Sequence, residues 1–443
     1  LNVESILERV TPTRKERSEE MALVERVFKL LNAYPVKPIL VGSLAKDTDL
    51  ANNKDIDIFI QFPQDVPRAD LEKQALKIGK EIFNKLGVEH EIDYAEHPYV
   101  KGSYEGNNIE IVPCYEGAKI MSAVDRTPHH TQYVSSKIKD SNLNSEIRLL
   151  KQFMRGIGVY GAEAKVEGFS GYLVELLVIR YGSFNKVLEA ARSWNIPEVI
   201  DLEGLWDDPQ ALPKFFTEAE LIVVDPVDKS RNVAAAVSSE CLSKLIVKSD
   251  EYIHRPSEEF FFPKSKPMRT KEQLASAMVA RKSKFMAVVF KHEKINANTL
   301  YSQMRKTAKH LVSEIEGMEF TVFKNSIWTN EKGISVLLLE FEVWTLPNMV
   351  HHLGPPVTQD ASNQEKFNQK YALDKPYVKD GRWVVDTKRR FTEAKDALKE
   401  IVSERKGFGK NLRELEVVTV LEDEGLLNIG DAGWLAHINE YLD

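Results

Sequence analysis

Two acids, Asp55 and Asp57, stand two apart in the run Lys-Asp-Ile-Asp-Ile-Phe-Ile. Strand side chains alternate faces, so both carboxylates share one face while Ile56, Ile58 and Ile60 point into a core. Carboxylates fixed in this way can bridge a pair of magnesium ions, the arrangement that phosphoryl transfer uses to clamp attacking and leaving oxygens. Upstream, Ile39, Leu40 and Val41 read as a short buried strand ending at Gly42 and Ser43. The glycine permits a tight turn there. The free amides of a helix starting at that point, with the Ser43 hydroxyl, make a phosphate cradle. A Gly-Ser after a strand is by itself a turn, and Asp-x-Asp by itself a solvated edge or a helix cap. Their combination in this order carries the meaning. A third acid comes from the strand expected over 108–112, where Ile109 and Ile111 face the core and Glu110 faces the side of Asp55 and Asp57. Pro113 is expected to end that strand, because proline has no ladder donor.

Hydrophobic period outlines the elements that must position these groups. Met21, Val24, Phe28 and Leu31 predict a helix over 13–33, and Leu71, Ala75, Ile78 and Ile82 another over 70–86. Strands are expected over 88–94, 99–104 and 108–112, with Gly106 and Asn107 turning between the last two. From 144 onward the pattern is helical. Ile147, Leu150 and Met154 form a stripe with Lys151 at its edge, Leu173, Leu176 and Leu177 face inward on a second helix, and a third covers 183–194. Residues 225–232 read as a polar loop, followed by a helix over 233–245. The stretch 258–270, with its prolines and Lys264, Lys266 and Arg269 leading to Lys271, reads as a domain connection. Beyond it, a strand (285–290), a helix (298–317) and two strands (319–328, 333–344) follow the order of a ferredoxin-like layer. Residues 346–360 read as a loop containing prolines and histidines, and 382–386 as a strand preceding the basic run Lys388-Arg389-Arg390.

A chain of 443 residues has room for roughly two to four domains. Its formal charge of −7 argues against a uniformly basic nucleic-acid binder but leaves room for a basic groove on an acidic body. The two cysteines, Cys114 and Cys241, are expected in the core; they cannot build a Cys-rich zinc site, and their scarcity suggests a reducing cytoplasm. The longest apolar runs, such as 336–339, are too short to span a bilayer, so no membrane partner is expected. The first residues read as a charged amphipathic segment rather than a signal peptide.

Several stretches act together: Val-Gly-Ser-Leu-Ala-Lys-Asp-Thr (41–48), Ala-Glu-His-Pro-Tyr-Val (95–100), Ile-Val-Pro-Cys-Tyr (111–115) and Ser-Ala-Val-Asp-Arg-Thr-Pro-His-His (122–130). Gly-Val-Tyr-Gly-Ala-Glu (158–163), Gly-Phe-Ser-Gly-Tyr-Leu (168–173) and Val-Asp-Pro-Val-Asp-Lys-Ser-Arg-Asn-Val-Ala-Ala (224–235) continue the set. With them the chain resembles the archaeal, class I CCA-adding enzymes, the tRNA nucleotidyltransferases. The resemblance is dense over 40–240 and rests on layout and length elsewhere. It implies a multidomain α+β fold: a polymerase-beta-like nucleotidyltransferase head (1–140), a mainly helical neck that binds nucleotide (141–257), and a ferredoxin-like α+β body and tail that bind tRNA (258–443). It implies template-free addition of C-C-A to the tRNA 3′ end from CTP and ATP in the cytoplasm, with Mg2+ as cofactor, and it leaves a homodimer open.

By that resemblance Asp55, Asp57 and Glu110 are the metal triad, and Gly42 and Ser43 hold the triphosphate. Lys46, Thr127, His130, Lys151, Tyr160 and Arg231 would line the nucleotide pocket. The basic run Lys388, Arg389 and Arg390 reads by its charge as either solvated surface or a phosphate contact to tRNA. The family pattern has Asp where this chain has Glu110, and Arg where it has Lys46; lysine keeps the charge without the bidentate fork. By residue type alone the readings differ. Lys151 is then a snorkelling lysine, His130 a surface or turn histidine, Tyr160 a loop anchor, and Arg231 a partner of Asp225 or Asp228. The alternatives are another template-free RNA nucleotidyltransferase, such as a poly(A) polymerase, or a non-catalytic RNA-binding protein with a vestigial head.

Overall fold

A computed structural model describes residues 1–94, 96–117, 119–139 and 141–443. Ala95, which opens one motif stretch, and Asp140, which closes the expected head, lie outside the described residues. The chain forms two compact units, Leu1–Ser265 and Lys266–Asp443.

The first unit is built on a sheet of β1 (Lys37–Val41), β2 (Asp55–Phe62), β3 (His90–Tyr94), β4 (Pro98–Tyr104) and β5 (Asn107–Tyr115). Their order is β1-β2-β5-β4-β3, with β2 and β5 parallel and the other neighbours antiparallel. Ile56, Ile58, Ile60 and Phe62 of β2 join Ile109 and Ile111 of β5 on the core face, under the helices Arg14–Leu31 and Arg68–Leu86. The opposite face is left to the acids and, further along, to a small cluster of Phe59, Val112 and Cys114 with Val41. Helix Arg14–Leu31 starts at Thr13, which accepts from Glu16 N while the Glu16 carboxylate accepts from Thr13 N, so two otherwise unpaired amides are satisfied.

Pro113 does not end its strand. β5 runs on to Tyr115, with Pro113 across from Ile60. Asn108 N and Glu116 N both point toward the β2 side, donating to Lys54 O and Phe62 O. By alternation, the donor missing at Pro113 would face β4, whose pairing has already stopped at Ile111.

The helices Arg126–Ile138, Leu143–Gly156, Gly171–Tyr181, Phe184–Ala191 and Ser239–His254 complete the first unit. Their core holds Phe153, fully buried, against the rings of Phe184, Tyr252, Phe260 and Phe261. The stretch expected to be a polar loop is instead the end of a hairpin: β6 (Glu198–Asp201), β7 (Leu221–Asp225) and β8 (Asp228–Asn232) form a small sheet. β7 is buried throughout and apolar up to Asp225, and the Asn232 side chain clamps it by accepting from Val223 N and donating to Leu221 O. Val233 N also donates to Val223 O, which keeps 233 tied to the sheet. The helix expected over 233–245 therefore begins only at Ser239, where Ser238 caps it by accepting from Cys241 N.

The second unit places β9 (Lys284–Lys291), β10 (Thr321–Thr329), β11 (Ile334–Val343) and, after an insertion, β15 (Val418–Glu422) in the order β10-β11-β9-β15, all antiparallel. This is the ferredoxin-like layer expected from the element order. Both faces are covered. Helices Ala297–Gly317 and Ala394–Glu404 pack on one, and Lys271–Ala280 and Ala432–Tyr441 on the other. That is why β9 and β11 read as continuous apolar runs. The insertion is a second sheet of β12 (Met349–Pro356), β13 (Tyr377–Lys379) and β14 (Arg382–Lys388) with helix Ala361–Lys370. The 346–360 stretch is thus no loop. Its residues 349–353 pair with β14, and the register slips only between Leu353 and Pro356, where the prolines gather. Among the described residues no helix is long and apolar enough to cross a membrane.

Phe153 is the hub of the aromatic cluster, and Phe153→Ala should cost about 3–5 kcal/mol of stability, read as a lowered denaturant midpoint at unchanged slope.

Candidate active site

The parallel register of β2 and β5 sets Asp57 directly across from Glu110 and Asp55 across from Asn108. Asn108 Nδ2 donates to Asp55 Oδ1 at 3.0 Å. On its other side Asp57 meets Gly42. That glycine has φ +75°, and a Cβ there would lie 1.9 Å from Asp57 Oδ2. Backbone conformation and space both exclude any other residue at 42. Burial, then the neighbouring Asp55 charge, push the Asp57 carboxyl up to about 6 against the pull of Lys46. Burial and Asp57 likewise push Glu110 up to about 7, with Lys101 opposing. Crowded anions on a partly dry surface lack a countercharge. Among the described residues no three His, Cys, Asp or Glu side chains close on one ion-sized point. The donor set nevertheless fits a hard cation, since it consists of carboxylate oxygens on two adjoining strands.

These acids line a cleft of about 450 Å3 that also takes in Gly42, Ser43 and Lys46. The helical residues Thr127, His130, Lys151, Tyr172 and Glu175 and the bridge residue Tyr160 also line it. Lys151 is not a snorkelling lysine: it is 1% exposed, and its ammonium donates to Thr48 O (2.9 Å), Thr48 Oγ1 (3.2 Å) and Glu175 Oε1 (3.1 Å). Lys46, also buried, donates to Glu175 Oε2 at 2.5 Å. Burial alone would raise the Glu175 carboxyl, but Lys151 and Lys46 hold it down at about 2. Burial and then the Glu175 charge push Tyr160 up to about 12, so it stays a neutral hydroxyl.

A second buried carboxylate gathers the remaining groups. Asp225 Oδ2 lies 2.8 Å from His130 Nε2 and accepts from an Arg231 Nη1 at 2.8 Å, while Asp225 Oδ1 accepts from the Tyr172 hydroxyl at 3.2 Å. The His130 ring stacks on Tyr172 with centroids 3.9 Å apart. Burial lowers the His130 pKa despite Asp225, and a neutral ring donates a hydrogen bond through Nε2–H to the carboxylate. Of the two partners that residue type offered Arg231, the structure selects Asp225; Asp228 is taken by Arg126 Nε at 2.8 Å. Arg231 joins the cleft through Asp225 rather than by lining it.

Three families match in succession: the nucleotidyltransferase domain over 22–133, the tRNA nucleotidyltransferase second domain over 145–262, and the CCA-adding enzyme C-terminal domain over 281–422. The CCA-adding enzyme of Methanothermobacter thermautotrophicus is 35% identical over 419 residues, which are 92% of this chain and 90% of that protein. Those of Methanosarcina barkeri (35%, covering 99% and 97%) and Methanocaldococcus jannaschii (34%, covering 91% and 91%) are similar over the same span. The chain belongs to the CCA-adding enzyme family.

In this CCA-adding enzyme, sequence reading brought together Asp55, Asp57, Glu110, Gly42, Ser43, Lys46, Thr127, His130, Lys151 and Tyr160, all of which line one cleft. It missed Glu175, and it named Asp225 only as a partner of Arg231, not as the group that also binds His130 and Tyr172. The first carried a signal: it is the lone acid in the apolar helix Gly171–Tyr181. The basic run lies in the second unit and is unequal. Lys388 is exposed, Arg389 is largely buried and paired with Glu319, and Arg390 is exposed beside Glu400. Of the connection's cations, Lys264 pairs with Glu259, and Lys266 and Arg269 with Asp443.

In an unfolded chain Asp57 and Glu110 titrate near 4, against about 6 and about 7 in the fold. The folded state therefore binds more protons across that window, and stability falls as pH rises through it. In chelator, the melting temperature should drop between about pH 4 and 7. Asp57→Asn should raise it at the alkaline end and flatten the slope.

Proposed function

We propose that this CCA-adding enzyme seats the triphosphate of CTP or ATP in the cleft and joins the nucleotide to the tRNA 3′ end with release of pyrophosphate. The observation that carries the reading is that three carboxylates and two buried ammonium groups line the same cleft. Asp55, Asp57 and Glu110 would hold magnesium. When bound, it lowers the pKa of the attacking hydroxyl and neutralises the departing pyrophosphate. The chain's own groups do the rest. Gly42 leaves room for Asp57, and Ser43, Lys46 and Tyr160 offer donors to the phosphates, while Lys151, whose donors go to Thr48 and Glu175, adds its charge. Glu110, at the edge of the acid cluster, is assigned to the side of the attacking hydroxyl.

Addition has no nucleic-acid template, so base choice falls to the protein and the tRNA end. Arg231, anchored by Asp225, offers fixed donors that suit the acceptor-rich edge of cytosine and a ring nitrogen of adenine. Residues 1–140 would carry the chemistry, 141–257 the nucleotide, and 258–443 the tRNA, read by shape and backbone as an A-form stem requires. The two buried cysteines support a reducing, cytoplasmic setting.

The deciding experiment is incorporation of labelled CTP and ATP into tRNA stripped of its 3′ end. C-C-A should be completed and addition should then stop. Runs of A alone would favour a poly(A) polymerase, and tRNA binding without turnover a vestigial head.

Glu110→Gln keeps size but removes charge, and should cut both C and A addition by more than the roughly 10–100-fold that loss of an outer-shell partner costs a metal site. Glu110→Asp should keep substantial activity in the same assay. Replacing Lys388 and Arg390 together by Ala should lower the salt slope of tRNA binding by about two. Arg389→Ala should instead show in the melting temperature, since Arg389 is held by Glu319.

A further inference from the structure

Glu175 binds three side chains, Lys46, Thr48 and Lys151, and no role yet requires it. It is fully buried on helix Gly171–Tyr181, between Val174 and Leu176, which are equally buried. A charge in that setting is costly unless paired, and an apolar residue of similar volume is often as good for stability or better. Its hydrogen bonds converge on one place. Lys46 donates to Oε2, and Thr48 Oγ1 (2.5 Å) and Lys151 (3.1 Å) donate to Oε1. Those partners come from separate elements: the short helix Gly42–Lys46, the loop after it, and helix Leu143–Gly156. Without the carboxylate, two ammonium groups would share one dry corner and repel.

We propose that Glu175 is a positioning residue for nucleotide binding, holding the Lys46 and Lys151 ammonium groups together at the cleft, aimed at the triphosphate. Three charges sum to one net positive. The cradle attracts a polyanion while its two cations are kept from driving each other away. The role is indifferent to the base, so CTP and ATP feel it alike, whereas Asp225 and Arg231 act on the base. The proposal rests on the reading of this cleft as the triphosphate seat.

The test compares Glu175→Gln, Glu175→Asp, Lys46→Met and the double variant Lys46→Met/Glu175→Gln in the full chain. Michaelis constants and kcat are measured for CTP and ATP, with dissociation constants for inorganic pyrophosphate and for tRNA and a melting temperature for each variant. Glu175→Gln should raise both nucleotide Michaelis constants and the pyrophosphate dissociation constant by a common factor on the order of tenfold, with kcat and tRNA affinity within about threefold. Glu175→Asp, charged but one methylene short, should fall between. The double variant should bind nucleotide no worse than Lys46→Met, because coupled residues do not add.

Additive losses, a fall in kcat at constant Michaelis constant, or tRNA affinity dropping in step with the nucleotide constants would make Glu175 a brace and overturn the proposal. If Glu175→Gln does not fold, the double variant and Glu175→Asp decide by the same criteria. If Lys46→Met leaves CTP, ATP and pyrophosphate binding untouched, the triphosphate reading of the cleft fails instead.

Discussion

Parallel pairing of β2 with β5 is the constraint on which the rest of the first unit depends. Side chains on a strand have a period of two, so a slip of one residue would turn every isoleucine outward and every acid inward. Burial of Ile56, Ile58, Ile60, Ile109 and Ile111 forbids that slip. The same register that fills the core therefore delivers Asp57 opposite Glu110. Hydrophobic burial, which has no direction of its own, is converted into the placement of carboxylates.

The cleft then divides its electrostatics unequally. Asp57 and Glu110 are crowded and shifted upward, while the cations are locked to a carboxylate shifted downward. The carboxylate side is strained without a countercharge, and the ammonium side is already satisfied. A ligand carrying both divalent metal and phosphate meets the first with its metal and the second with its oxygens, so the asymmetry suits a metal-bound polyanion better than either part alone.

How much of this was legible in the sequence depended on the range of the interaction. The period of β2, the Gly-Ser turn and the β-α-β-β order are local, and all three appear in the structure. Pro113 misled because the direction of its missing donor depends on where β4 stops, which no local rule supplies. Residues 233–238 misled because an Asn232 clamp across a hairpin outweighs helix propensity. Lys151 looked like a surface lysine because its partner lies on another helix. Glu175 went unnoticed for the same reason, although a single acid among Leu173, Val174, Leu176 and Leu177 is the kind of buried charge that asks for a partner.

Both cysteines are buried and unpaired, and burial raises the Cys114 thiol well above its ordinary range. Thiolate is the form that attacks maleimides and iodoacetamides, so Cys114 is close to inert toward them, and burial shields Cys241. The natural chain is in effect a silent background for thiol labelling. A cysteine introduced at an exposed residue of the second unit, at Lys366 for instance, and another beside the cleft could each carry a dye without removing any native residue of the core. The distance between the two units could then be followed, molecule by molecule, as tRNA arrives and leaves.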